Sequence, residues 1–272
     1  MSFENNNTGI IGKLEKYRIK SDQTNAAYKI PVENDFIFLK IYGPKYPRVK
    51  YEIRKLLGNI GIRQPVEYAS PEKRRTYEAT ILSHWKANGY DVPDIIKNPF
   101  DELSGFPVLT TTFIDGLTLR QVLKSSVMAG EEKAKKLAAL FTEVAARHQR
   151  AFLNNDNRLF HIDANTRNII FAHTAIYHVD FEMGRPWEPV MVCAAREVLK
   201  LLVSIAEDVE SSIRGMVFRL FKEQYGRDDV CLNIMKSVKE RPFQAVHRFN
   251  NRRKKLQDPN KITLYDVVQY LL

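Results

Sequence analysis

The fold is decided by the stretch His161-Ile162-Asp163-Ala164-Asn165-Thr166-Arg167-Asn168, followed by Asp180-Phe181-Glu182. Asp163 stands five residues before Asn168, and Asp180 follows an apolar run. Phosphoryl transfer from ATP requires one carboxylate that accepts the proton of the attacking hydroxyl. It also requires an amide oxygen and a second carboxylate that hold magnesium. Asp163, Asn168 and Asp180 supply these groups in that order along the chain.

The residues between these groups predict a β-hairpin. Ile169-Ile170-Phe171 is a short apolar run, residues 172–175 are typical of a turn, and Ile176-Tyr177-His178-Val179 alternates as a second strand. A loop that leads into a hairpin would bring Asp163, Asn168 and Asp180 together at the open end of that hairpin. The alternative is a chance pattern in a polar loop, since single motifs have real false-positive rates. The hairpin before Asp180 makes that alternative the weaker one.

This pattern resembles the catalytic and metal-binding loops of the protein-kinase-like superfamily. The resemblance implies that Asp163 is the catalytic base, that Asn168 binds magnesium and that Asp180 is the main magnesium ligand. It also implies that His161 is a structural histidine, which packs under the metal-binding segment.

Two positions depart from the usual pattern of that superfamily. Ile162 stands where an arginine is usual, which removes the partner of an activating phosphate. Activation by phosphorylation of the following loop is therefore not expected. Glu182 stands where a glycine is usual. It is either an extra carboxylate on the metal or substrate side, or a surface residue.

A lysine lies inside the β-rich run at residues 35–42. Lys40 needs a partner there, because burying an unpaired ammonium is costly. The resemblance implies that this lysine binds the α- and β-phosphates of ATP. It also implies that the lysine forms an ion pair with a glutamate on a helix. The candidate is Glu78, in a helix that Ser70 can cap and that has Pro71 at its first position. Alternatively, Lys40 is an edge-strand lysine with its tip in water and Glu78 is a surface charge; the downstream loop favours the pair.

A third strand is expected at residues 106–114, before a turn and a helix start at residues 115–119. The resemblance makes this join the hinge of a nucleotide pocket, where backbone groups near Thr111 to Phe113 would bind the adenine edge. Many strand–turn–helix joins look similar, and Thr118 could simply cap the helix that follows.

The loop expected to cover the phosphates is the poorest match. Strands are predicted at residues 17–20 and 26–30, and their connection at residues 21–25 contains no glycine. Glycine normally lets the backbone approach phosphate closely. This departure is the main argument for a degenerate pseudokinase.

The composition indicates a folded protein without a membrane span. The chain of 272 residues can bury a full core, as one bilobal unit or as two small domains. Cys193 and Cys231 are read as buried free thiols, which indicates a reducing compartment. No stretch approaches the ~18 apolar residues that a transmembrane helix requires, and the polar N-terminus is not a signal peptide. A cytoplasmic location is expected.

The formal net charge is +10, from 42 Lys and Arg against 32 Asp and Glu. Solvated helix faces explain most runs of like charge, but the run Arg248 to Lys255 is denser. It could bind anionic lipid headgroups or nucleic-acid phosphates. These basic segments would allow peripheral contact with the inner face of a membrane or with another polyanion, and a basic surface near the site would suit an acidic substrate.

These elements predict an α+β, bilobal protein-kinase-like fold. Residues 1–109 would form a small β-rich N-lobe with one long helix, and residues 110–272 a mainly helical C-lobe. Only about ten residues separate Asp180 from the next expected helix, near Met191, and the Ala-Pro-Glu motif of peptide-docking kinases is absent. With Gly89 and Val92-Pro93 after the long helix, the chain resembles the bacterial lipopolysaccharide core (Kdo/heptose) kinases. It is also similar to RIO-type kinases and, more distantly, to aminoglycoside phosphotransferases.

This resemblance implies an ATP-dependent phosphotransferase (kinase) with ATP and Mg²⁺ as cofactors. The acceptor would be a hydroxyl, on a sugar of the lipopolysaccharide core or another sugar or lipid. A protein serine/threonine kinase of RIO type is one alternative. The other is a non-catalytic pseudokinase, which would use its basic face to hold a lipid, RNA or protein partner.

Overall fold

The computed structural model describes residues 8–19, 25–33, 35–43, 70–183, 188–239, 253, 255–258 and 261–271. Its strands are β1 (Ala26–Val32), β2 (Asp35–Ile41), β3 (Val108–Thr112), β4 (Leu117–Thr118), β5 (Ile169–Ala172) and β6 (Ala175–His178). Its helices are α1 (Thr8–Leu14), α2 (Pro71–Ala87), α3 (Leu119–Lys124), α4 (Gly130–Asn154), α5 (Val190–Asp208), α6 (Arg214–Tyr225), α7 (Asp228–Lys239) and α8 (Leu264–Leu271).

The N-terminal sheet is antiparallel, with the strand order β1-β2-β3. Its register pairs Lys40 with Ala27 on one side and with Leu109 on the other. Because side chains alternate along a strand, Lys40 and the residues paired with it share one face of the sheet. The opposite face is apolar and buries Tyr28 and Leu39 against Leu14 of α1. The sheet therefore has one sealed face and one face that carries Lys40.

Helix α2 begins as the sequence predicts. The hydroxyl of Ser70 accepts a hydrogen bond from the amide of Lys73, and Pro71 occupies the first helical position. Ile81, Leu82 and Trp85 are buried on one face of the helix and belong to the main core. Helix α2 is therefore anchored through its C-terminal half.

The second sheet, with the order β4-β5-β6, contains the predicted hairpin. Ile169 pairs with His178 and Ala172 with Ala175, as the alternating pattern requires. Gly116 lies just before β4, where a Cβ atom would stand 2.5 Å from the carbonyl oxygen of Phe171. A side chain at residue 116 would push β4 away from β5. Thr118 caps α3 through a reciprocal capping box with Gln121.

The main core lies among the helices that follow. Helix α4 contacts α5 and α6, and α7 and α8 pack on the other side of α5. The rings of Phe141 and Phe221 meet edge to face, with their centroids 5.2 Å apart. Helix α5 is held in this core by its contacts with α4, α7 and α8. Within the ranges given above, no helix is long and apolar enough to cross a membrane.

The predicted α+β class is confirmed, as is the order of antiparallel strands with one long helix before a mainly helical part. The strand predicted at residues 17–20 is only partly formed where the structure describes it. A short 3-10 turn ends at Tyr17, Arg18 forms an antiparallel bridge with Tyr28, and the amide of Ile19 donates to the carbonyl oxygen of Ala27 at 2.8 Å. Residues 20–24, 44–69 and most of the basic run 248–255 lie outside the described residues. The division at residue 109 stays a prediction.

Candidate active site

The site is organised around the ammonium group of Lys40. Its Nζ lies 2.8 Å from Oε2 of Glu78, 2.6 Å from Oδ1 of Asp180 and 3.1 Å from Oε2 of Glu182. The structure thus brings together the predicted lysine–glutamate pair and adds Asp180 to it. The alternative of a lysine tip in water is wrong, because only 8% of the Lys40 side chain is exposed.

The surrounding carboxylates keep Lys40 charged. Burial by itself would lower the pKa of Lys40, but Glu78, Asp180 and Glu182 together raise it well above its usual value. The hydroxyl of Tyr42 donates to Oε2 of Glu78 at 2.5 Å, so the glutamate is fixed from two sides. A charged, positioned ammonium at the edge of a cleft is suited to hold anionic oxygens.

Glu182 is buried among cations and an amide. Its Oε2 lies 2.7 Å from the guanidinium of Arg74 and 2.5 Å from Nδ2 of Asn25, and the residue is only 3% exposed. The surface alternative for Glu182 is therefore wrong. Asn25 is the residue directly before β1, at the end of the glycine-free connection. Sequence reasoning missed both Arg74 and Asn25 as parts of this cluster.

The loop at residues 161–168 folds around the side chains that it carries. The amide of Asp163 donates to Nδ1 of His161 at 3.1 Å. Nδ2 of Asn168 donates to the main-chain oxygen of Asp163 at 3.1 Å and to its carboxylate at 3.3 Å. Asn165 also donates to the Asp163 carbonyl, at 2.9 Å. Asp163 and Asn168 are therefore neighbours, and the amide nitrogen of Asn168 faces Asp163.

The segment before Phe181 is held by His161. Nε2 of His161 lies 2.9 Å from the carbonyl oxygen of Val179, and the rings of His161 and Phe181 are 4.5 Å apart. The predicted packing of His161 under the metal-binding segment is thus present. Asp180 has a left-handed backbone with φ of 67°, which is strained for most residues but tolerated by Asp and Asn. That turn directs the carboxylate of Asp180 to Lys40.

Asp163 and Asp180 face each other across one small cavity. Its wall includes both carboxylates, and its other sides are formed by Tyr77, Ile81, Phe160, Ile162, Phe181 and Met183. The cavity has a volume of about 10 Å³, room for roughly one water molecule. Asp163 and Asp180 are thus close to each other, although they belong to a loop and to the end of a hairpin.

The metal ligands that the sequence predicts suit magnesium chemically. Asp180 offers a carboxylate that is 30% exposed, and Asn168 offers an amide oxygen, both hard oxygen donors. Glu78 and Glu182 also have oxygen atoms within 4.8 Å of Asp180. However, Glu78 is already bonded to Lys40 and Tyr42, and Glu182 to Arg74. Asp180 is also bonded to Lys40, but its side chain is 30% exposed, whereas those of Glu78 and Glu182 are 6% and 3% exposed. Asp180 is therefore the most accessible of the three carboxylates for an ion, and Asn168 remains the second predicted ligand.

The predicted adenine-binding residues lie at the end of β3. Thr111 pairs with Phe38 on the face of the sheet that carries Lys40. The amide of Phe113 donates to the carbonyl oxygen of Phe36 at 3.2 Å, and its ring packs near Phe36 and the ammonium of Lys29. The Phe113 amide is thus part of the sheet. The main chain that follows, at residues 114–116, leads across to β4.

Helix α5 supports the loop from behind, which the sequence did not reveal. Glu197 accepts from the amide of His161 at 2.8 Å and pairs with Arg147 at 2.7 Å. Although burial raises the pKa of Glu197, Arg147 and then His148 lower it far below its usual range. Glu197 is therefore ionised and holds the start of the loop.

The same helix contacts the rest of the loop. The ammonium of Lys200 contacts the Asp163 carboxylate. Ser204 accepts from the amide of Thr166 at 3.0 Å, and Asp208 accepts from the Thr166 hydroxyl at 2.5 Å. Lys200, Ser204 and Asp208 follow Glu197 at intervals of three or four residues. The four side chains therefore form one stripe on α5.

His161 makes folding stability depend on pH. Burial, and then the neighbouring His178, lower its pKa to about 4, whereas an unfolded histidine titrates near about 6.5. Below about pH 6.5 the histidine is protonated in the unfolded chain but stays neutral in the folded protein, so acid favours unfolding. The free energy of unfolding is therefore highest above that pH and falls as the pH approaches 4. We expect urea unfolding to give about 2 kcal/mol less stability at pH ~5 than at pH ~7.5.

The matched variants are His161→Gln and His173→Gln, because His173 is exposed. The loss on acidification should shrink in the first variant and persist in the second. An unchanged loss in His161→Gln would show that other groups cause it.

No family model and no curated protein matches the sequence. Among solved structures, the chain is similar to that of WaaP in complex with acyl carrier protein. The TM-score is 0.47 and the sequence identity 11%, over 80% of this chain and 81% of that one.

Proposed function

We propose that this protein is an ATP- and magnesium-dependent phosphotransferase. The observation that carries the proposal is the position of Lys40, whose ammonium lies between Glu78 at 2.8 Å and Asp180 at 2.6 Å. Lys40 would hold the α- and β-phosphates, and Glu78 would keep it in place. Backbone groups between Thr111 and Phe113, with the residues that follow, would bind the adenine edge.

The remaining roles fall to the loop at residues 161–168 and to the end of the β5–β6 hairpin. Asn168 and Asp180 would hold Mg²⁺, which neutralises charge on the phosphates when it is bound. Asp163 would orient the acceptor hydroxyl and accept its proton. The carboxylates of Glu78, Asp180 and Glu182 surround two cations. Because Lys40 and Arg74 supply only two positive charges, one negative charge is in excess around Lys40. A nucleotide triphosphate is itself an anion, so we expect its binding to require the metal.

For the acceptor we propose a hydroxyl group on a sugar or lipid. Helix α5 begins at Val190, soon after Asp180, which leaves little chain for docking a peptide. This supports the sugar acceptor suggested by the sequence resemblance to lipopolysaccharide core kinases. A cytoplasmic location at the inner face of a membrane fits that acceptor. Transfer of phosphate to added protein or to the chain itself would instead favour the RIO-type alternative.

A non-catalytic binding module is the second candidate function. Two observations favour it. The connection at residues 21–25, which is expected to cover the phosphates, has no glycine, and Lys40 is surrounded by carboxylates. Such a module would bind ATP weakly or without dependence on magnesium.

Thermal melting with ATP, with and without Mg²⁺, separates the two functions. A ligand at a hundredfold excess over its Kd stabilises the folded state by about 2.7 kcal/mol. For a chain of this size that corresponds to a rise in Tm of roughly 5–10 °C. The kinase proposal requires this rise with ATP and Mg²⁺ together. No shift at millimolar ATP would contradict it and favour the binding module.

A further inference from the structure

The carboxylate of Asp163 contacts a cation that comes from outside its own loop. The ammonium of Lys200, on α5, contacts Oδ1 of Asp163 and lies 3.4 Å from the carbonyl oxygen of Ile162. The side chains of Lys200 and Asp163 are 40% and 24% exposed, so solvent and ligands can reach this pair. The side chain of Lys40, in contrast, is only 8% exposed.

Lys200 is held by the packing of its helix. Neighbouring residues Val198, Leu199, Leu201 and Leu202 are buried in the main core. Glu197 and Ser204, about one turn before and after Lys200, are bonded to the main chain of His161 and Thr166. The loop and the helix therefore cannot slide past each other without breaking these bonds. The position of the ammonium beside Asp163 is set by the fold.

Within the loop, the amide side chain nearest to Asp163 in sequence is uncharged. Asn165 follows Asp163 by two residues, and its Nδ2 and Oδ1 are bonded to the Asp163 carbonyl and to the amide of Arg167, both at 2.9 Å. A phosphoryl group in transfer spreads negative charge over its equatorial oxygens, and Asp163 adds a further negative charge beside it. A cation at this side would offset both charges.

We propose that Lys200 is a catalytic residue whose ammonium contacts the transferred phosphoryl group beside the Asp163 carboxylate. This inference rests on the proposed function. The acceptor oxygen forms a bond to the γ-phosphorus while the bond from that phosphorus to the β–γ bridging oxygen breaks, and the nucleoside diphosphate leaves. The proton of the acceptor hydroxyl passes to Asp163. Lys200 keeps its proton throughout, stabilises the charge and holds the Asp163 carboxylate in place.

The test compares binding of MgADP alone with binding of MgADP plus aluminium fluoride, which imitates the phosphoryl group in transfer. Analogues of the transition state bind more tightly than ground-state ligands. We expect Lys200→Met to bind MgADP as the wild type does, but to lose about 10²–10³-fold of the tightening by aluminium fluoride. Hydrolysis of MgATP by water should fall by a similar factor. Lys200→Arg should retain most of both effects, because it keeps the charge.

The matched control is Lys236→Met, on the exposed surface of α7, which should behave as the wild type. Lys200→Gln repeats the test if the methionine variant does not fold. If aluminium fluoride tightens MgADP binding in Lys200→Met as much as in the wild type, the inference is overturned. It is also overturned if Lys200→Met loses MgADP binding as well as the tightening, because that result indicates a structural role. A wild type that binds MgADP without tightening would overturn the inference alone. A wild type that binds no nucleotide would overturn the proposed function as well.

Discussion

Replacing Asp163 by asparagine should remove catalysis and leave nucleotide binding intact. The main-chain amide of Asp163 is bonded to His161, and its carbonyl to Asn165 and Asn168. None of these bonds needs the charged carboxylate, so the loop should keep its shape. Loss of the proton acceptor should lower turnover by about 10²–10⁴-fold. The affinity for MgATP should stay the same or rise, because one negative charge near the phosphates disappears.

Turnover is followed as release of phosphate from γ-labelled ATP, and affinity by calorimetric titration with MgATP. Asp101→Asn, in an exposed turn, is the matched control and should leave both values unchanged. Full turnover in Asp163→Asn would show that another group accepts the proton. Loss of MgATP binding would show that Asp163 belongs to the nucleotide site.

Replacing Asp180 by asparagine should remove the magnesium dependence of ATP binding. Asparagine tolerates the left-handed backbone at residue 180, whereas alanine would add strain to the loss of charge. Without the carboxylate, the ion keeps only the Asn168 amide among its proposed ligands, and we expect its contribution to ATP affinity to fall by about 100-fold or more. ATP without metal should bind no more weakly than before, because Asp180 no longer competes for Lys40.

Melting temperatures of the wild type, Asp180→Asn and Asp101→Asn with ATP and increasing Mg²⁺ measure this effect. The wild type and the control should rise with magnesium, and Asp180→Asn should not. A magnesium-dependent rise that survives in Asp180→Asn would move the metal site to other residues, with Glu182 the nearest remaining carboxylate on the same segment.

The parts of the site that the sequence predicts are those governed by local rules. Ser70 and Pro71 mark the start of α2, and alternation in residues 169–179 marks the hairpin that ends at Asp180. A lysine inside a strand needs a nearby anion, but the choice of Glu78 as the partner of Lys40 came from the resemblance to the protein-kinase-like superfamily. The same local rules were only partly right at residues 17–20, where Tyr17 ends a 3-10 turn and only Arg18 and Ile19 pair with β1, because too few alternating residues stand together to specify a full strand.

The parts that the sequence did not predict depend on contacts between distant residues. Asn25 and Arg74 reach Glu182 across 157 and 108 positions. No periodic pattern links them, and their meeting follows from the turn at Asp180. Lys200, in contrast, left a usable signal. Glu197, Lys200, Ser204 and Asp208 recur at helical spacing in a mainly apolar helix, which indicates one polar stripe along it.

The burial of Trp85 has a consequence for how this protein could be controlled. Its ring lies 4.7 Å from Phe181, 5.1 Å from His178 and 4.4 Å from the guanidinium of Arg147, and its Nε1 donates to Arg158. Glu78 stands two turns earlier on the same helix. An outward swing of α2 would withdraw this fully buried ring and cost about 3–5 kcal/mol, as large aromatic truncations do. Helix α2 is thus held in one position between the N-terminal sheet and the helices of the main core. The Lys40–Glu78 contact is therefore expected to persist and not to be switched by a movement of this helix.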